Sequence, residues 1–126
     1  MKRVLIVDDS PSVLQVLQFI FESEHYVVVT ATDGAEGLEK ISEQMPDLVV
    51  TDSVMPGMDG FAFFRKLKEQ PATRAIPVIM LTSEDPREPG HADRDQWPEA
   101  VLRKSADFSM LLAKASAILS RRTKGL

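Results

Sequence analysis

Five residues of this chain have the types and placements that could handle an oxyanion. Asp8 and Asp9 follow the apolar run Val4-Leu5-Ile6-Val7, and Asp52 closes the run Leu48-Val49-Val50-Thr51. Thr82 closes Val78-Ile79-Met80-Leu81, and Lys104 follows Val101-Leu102-Arg103. Three carboxylates brought together repel one another when all are ionised, and a hard divalent cation removes that repulsion. Magnesium suits such a set. It takes oxygen ligands and keeps room for waters and a phosphate oxygen. Lys104 adds positive charge, and Thr82 offers a hydroxyl to an incoming oxyanion. Metal and lysine neutralise charge while a carboxylate accepts the group, which is phosphoryl chemistry. Taken singly, each residue has an ordinary reading: the Asp pair as a solvated cap, Asp52 as a loop cap, Thr82 as a turn former, Lys104 as a surface charge. They gain a joint meaning only if the fold gathers the ends of these apolar runs.

The pattern of the chain supplies such a fold. Residues 4–7 are β-formers without polar alternation, as in a strand buried on both faces. Ser10-Pro11 reads as an N-cap followed by proline at the first helical position. Val13, Leu14, Val16, Leu17, Ile20 and Phe21 then repeat at helical spacing. A second strand is expected over residues 26–30. A second helix opens at Asp33-Gly34, with Leu38, Ile41 and Met45 on one face, and stops at Pro46. Residues 47–52 form a third strand. A Pro- and Gly-rich loop leads to a third helix marked by Phe61, Phe64 and Leu67. Residues 76–81 and 100–103 are the fourth and fifth strands. A last helix over residues 107–120 carries the stripe Phe108, Leu111, Leu112, Ala115, Ile118 and Leu119.

Alternating strands and helices imply a parallel sheet covered on both faces. The expected architecture is α/β: a flavodoxin-like, doubly wound, five-stranded sheet of order 2-1-3-4-5. Strands one and three then flank the switch point, and all five polar residues meet at the carboxyl edge. One segment breaks the alternation. Residues 85–98 hold three prolines and a glycine, with no apolar stripe, so the fourth helix is expected to be degraded or replaced by a loop.

Composition narrows the function. The 126 residues make one domain, and 44% apolar with 27% charged residues is ordinary for a globular chain. The absence of cysteine excludes disulfides, thiolate metal sites and a catalytic thiol. No apolar run is long enough to span a membrane. The basic start followed by apolar residues resembles an export signal, but four apolar residues running into two acids are too short, so a cytoplasmic domain is expected. A net charge of −4 argues against nucleic-acid binding. His25 is expected at the surface, not as a metal ligand.

The residues also carry a resemblance. Val4-Leu5-Ile6-Val7-Asp8-Asp9-Ser10 and Asp47-Leu48-Val49-Val50-Thr51-Asp52-Ser53-Val54-Met55-Pro56-Gly57-Met58-Asp59-Gly60 resemble response-regulator receiver domains, the CheY-like superfamily of two-component signalling. Pro77-Val78-Ile79-Met80-Leu81-Thr82-Ser83 is similar to that family's fourth strand. The resemblance runs from Lys2 to about Ser120, giving a receiver domain over residues 1–120 and a polar basic tail over 121–126. It implies that Asp52 is the phosphoacceptor and that Asp8, Asp9, Asp52 and the main-chain carbonyl of Val54 bind Mg²⁺. Thr82 and Lys104 become the switch hydroxyl and the phosphate-contacting lysine. The implied donor is phosphohistidine on a sensor histidine kinase or a histidine phosphotransfer protein, and the output is contact with a downstream protein.

The chain departs from the family where Val101 replaces an aromatic residue and Ser105 replaces proline. The Lys104–Ser105 bond is therefore expected to be trans. Residues 85–96 are expected to be mobile without phosphate and to respond by ordering, and the domain is expected to be a monomer. Two other functions compete. A pseudo-receiver would keep the fold as an interaction module without phosphate switching. A metal-dependent phosphohydrolase would use a D-x-D motif and a cap segment, whereas this chain has adjacent Asp8-Asp9 and no room for a cap.

Overall fold

The computed structural model describes residues 1–83, 98–104 and 108–124, with side chains of the last helix described to Arg121. Nine elements occur in chain order among them: β1 (Arg3–Val7), α1 (Pro11–Ser23), β2 (Val27–Ala31), α2 (Gly34–Glu43), β3 (Leu48–Asp52), α3 (Gly60–Glu69), β4 (Val78–Thr82), β5 (Ala100–Arg103) and α4 (Ser109–Lys124). The five strands form one parallel sheet of order β2-β1-β3-β4-β5, the flavodoxin-like arrangement expected from the sequence. The expectations for residues 85–96 and for the Lys104–Ser105 bond lie outside the described residues.

Strand periodicity divides the core between the two faces. Val4 and Ile6 of β1 join Leu48 and Val50 of β3 under α1 and α4, where Leu14, Leu17, Phe21, Leu111, Ala115, Ile118 and Leu119 are buried. Leu5 and Val7 point the other way and pack with Val49, Met80, Ile41, Phe63, Phe64 and Leu67 under α2 and α3. β1 and β3 need apolar residues at every position because both faces are covered, which explains their unbroken runs. Helix starts are fixed by side-chain caps. Ser10 accepts from the Val13 N–H at 3.4 Å, Asp33 from Glu36 at 2.7 Å, and Asp59 from Ala62 at 2.8 Å.

Three differences from the sequence reading have local causes. α2 ends at Glu43, so Met45 lies past the helix and is exposed. Residues just before a proline are disfavoured in helical geometry, and the helix stops short of Pro46. In α3 the buried positions are Gly60, Phe63, Phe64 and Leu67, and Phe61 is only half-buried. The apolar stripe thus starts at the glycine, and Phe63 was missed. Finally, α4 continues to Lys124, past its expected end at residue 120.

Candidate functional site

The sheet places the chemistry at its carboxyl edge. Asp8 is the first residue after β1. Its N–H donates to Ala31 O at 3.1 Å, and its Oδ1 accepts from the Ser10 N–H at 2.9 Å. Asp8 is fully buried and Asp52, the last residue of β3, is nearly so. Lys104 stands just past β5, where its N–H donates to Thr82 O at 2.6 Å. From there its Nζ reaches Asp8 Oδ2 at 2.8 Å and Asp52 Oδ2 at 3.2 Å. Asp9 is exposed, yet carboxylate oxygens of Asp8, Asp9 and Asp52 lie within 4.8 Å of one another. Asp8, Asp9, Asp52 and Lys104, spread over the sequence, therefore form one cluster. Thr82 ends β4 beside it, with its carbonyl anchoring the Lys104 backbone. Val54 follows Asp52 by two residues. Its side chain is exposed, and its backbone N–H favours the ionised form of the Asp52 carboxyl.

The electrostatics are unbalanced. Two carboxylates within 4.8 Å repel by about 3.5 kcal/mol or more at an effective dielectric of ~20. One lysine faces three carboxylates. Burial pushes the Asp52 carboxyl above its ordinary value and the charge of Asp8 adds to this; Lys104 and the Val54 N–H offset only part. Burial opposes the charge on Lys104, but its contacts with Asp8 and then Asp52 outweigh that and raise its pKa. Asp8 Oδ2 is buried, with the Lys104 ammonium 2.8 Å away. Three carboxylates with oxygens this close are the donor set that a hard divalent cation takes. The residues present fit Mg²⁺.

A raised carboxyl pKa means that the ionised form opposes folding. The penalty is fully present above the folded pKa and vanishes as pH falls below the unfolded value of 3.8. Asp52→Asn should therefore raise the melting temperature at neutral pH in chelator. That advantage should shrink as pH falls through the acid carboxylate range. Thermal denaturation at several pH values checks this, and a lower neutral-pH melting temperature for the variant would contradict it.

Gly60 went unnoticed as a structural residue. Its N–H donates to Ser53 O at 3.0 Å, closing the loop that begins at Asp52. The sequence marked it only as the last residue of the stretch, residues 47–60, that carries the resemblance.

The profile of the response regulator receiver domain matches residues 4–116. The chain belongs to this family. The receiver domain is 39% identical over 120 residues to the response regulator PleD of Caulobacter vibrioides, covering 92% of this chain but 26% of PleD. It is 36% identical over 120 residues to the protein PilH of Pseudomonas aeruginosa, covering 95% of this chain and 99% of PilH. It superposes on the response regulator TrrA of Thermotoga maritima, solved with Mg²⁺ and BeF, with a TM-score of 0.79 and 30% identity. That match covers 93% of this receiver domain and 98% of TrrA. Among the described residues, no helix is long and apolar enough to cross a membrane.

Proposed function

We propose that this receiver domain is a phosphoacceptor in a two-component phosphorelay, with Asp52 as the acceptor. The observation that carries the reading is the cluster of Asp8, Asp9 and Asp52 clamped by Lys104 at the switch point of the sheet. Asp8, Asp9, Asp52 and the Val54 carbonyl are assigned to Mg²⁺, which when bound supplies positive charge to the carboxylates and the phosphoryl oxygens. An Asp52 oxygen forms a bond to phosphorus as the bond to the donor histidine nitrogen breaks, and that nitrogen keeps the electron pair. Lys104 sits where it can neutralise charge on the transferred group. Thr82 is assigned the hydroxyl that contacts the phosphoryl oxygens. The natural donors are a sensor histidine kinase or a histidine phosphotransfer protein. The domain acts as a cytoplasmic monomer that signals through protein contact, not as an enzyme on a separate substrate.

Acetyl phosphate with Mg²⁺ tests this by intact mass. The protein should gain one phosphoryl group, and Asp52→Asn should gain none. An adduct of equal yield in that variant would remove Asp52 from the role.

The lifetime of the adduct gives a further expectation. Val54, two residues after the acceptor, has an exposed apolar side chain that cannot orient an attacking water by hydrogen bonding. Val54→Asn should hasten loss of the phosphoryl group several-fold, measured by the decay of the adduct after donor removal. An unchanged or slower decay would argue the opposite.

A further inference from the structure

We infer that Thr51 is a positioning residue for Asp52, acting through the acceptor's own backbone; this rests on the reading of Asp52 as acceptor. The Val49 and Ser53 N–H groups donate across to Pro77 and Leu81 carbonyls beside and in β4, at 3.0 and 2.9 Å. In a parallel strand alternate residues direct their backbone groups to opposite neighbours, so the backbone of Asp52 faces β1. The register of β1 with β3 ends with Val7 opposite Thr51. The Asp52 carbonyl therefore lies past the last β1 pair, in a buried place where an unpaired acceptor is unfavourable. The Thr51 hydroxyl donates to that carbonyl at 3.0 Å, and Thr51 is wholly buried.

The same carbonyl is confined on another side. A side chain on Gly60 would begin only 2.2 Å from it. The same peptide is held from its other end by the Ser53 N–H, which donates to Leu81 O, and the next peptide is held by the Gly60 N–H, which donates to Ser53 O. The hydroxyl of Thr51 is thus one of a few restraints on the peptide that leaves Asp52, and this peptide orients the Asp52 carboxylate toward Lys104. A threonine needed only as a β-branched strand residue would be replaceable by valine of the same shape. A threonine that aims the acceptor would not be.

The test uses the full chain and compares wild type, Thr51→Val, Thr51→Ser and Ile118→Val. Ile118 is buried in the α4 core and lines a cavity with Pro77 and Glu99, which precede β4 and β5 at the sheet's other edge, and it serves as a stability control. Labelling from saturating acetyl phosphate with Mg²⁺ is followed by intact mass, and each melting temperature is recorded. Small misplacements of a reacting group slow a reaction steeply. Thr51→Val should label about tenfold more slowly, Thr51→Ser should regain most of the rate, and Ile118→Val should keep it. Where the valine variant does not fold, Thr51→Cys, a weak donor of similar size, takes its place. Wild-type rates in Thr51→Val, a serine variant as slow as the valine one, or slowing that tracks melting temperature in all variants would overturn the assignment alone. A wild-type protein that takes no label overturns the acceptor reading and this role with it.

Discussion

Alanine at position 60 should cost the domain about 3 kcal/mol or more, a large part of the ~5–15 kcal/mol that holds such a fold together. A Cβ there would sit 2.2 Å from the Asp52 carbonyl oxygen, 3.0 Å from Ser53 Cα and 3.1 Å from Asp52 C. All three atoms are backbone, so no rotamer change relieves the clash. Relief would require α3 to withdraw from the end of β3. That movement would break the Gly60–Ser53 hydrogen bond and pull Phe63 and Phe64 from the second core. Gly57 provides the contrast. It has a φ of +77° but open space around it, so alanine there meets only the backbone preference, about 1 kcal/mol. Urea denaturation of the two variants separates the effects. Equal midpoints would show that the approach of Gly60 to Asp52 is not what confines this loop.

That glycine also marks the boundary of what could be read from residues alone. The strands were legible because β1 and β3 are buried on both faces, and a short apolar run ending in acid has few other readings. The site was legible because parallel topology gathers strand ends at one edge, so the positions of Asp8, Asp52 and Lys104 followed from the order of the elements. Other features depend on distances between elements far apart in sequence. Phe61, Phe63 and Phe64 are equivalent in composition. The choice of Phe63 over Phe61 is set by how closely α3 can approach β3, hence by Gly60. Thr51 looked like one more β-former until the end of the β1 register placed the Asp52 carbonyl beside its hydroxyl. The last turn of α4 was hidden for a different reason. Residues 121–124 are polar, and helical spacing of apolar residues says nothing about a turn that contains none.

Asp9→Ala should reduce labelling by acetyl phosphate about 100-fold or more, equivalent to ~2.7 kcal/mol in the barrier. Excess chelator should do the same to the wild-type protein. The direction is informative because two accounts of the cluster predict opposite signs. Asp9 is exposed and contributes nothing to either core, so its removal should leave the melting temperature near or above the wild-type value. If the chain's own charges were all that mattered, a site with one fewer carboxylate would repel the incoming phosphoryl group less. Alanine would then label faster. If Asp9 instead helps to hold a divalent cation, its loss removes more positive charge than the negative charge it carried, and labelling slows. Asp8 cannot make this distinction, since it is fully buried and paired with Lys104, and its removal would disturb the fold as well. Asp9 tests charge without testing packing. Titration of Mg²⁺ into both proteins by calorimetry, alongside labelling rates, provides the measurement. A variant that is folded, binds Mg²⁺ as the wild type does and labels at an equal or greater rate would leave the carboxylates as repelling charges held by Lys104 alone.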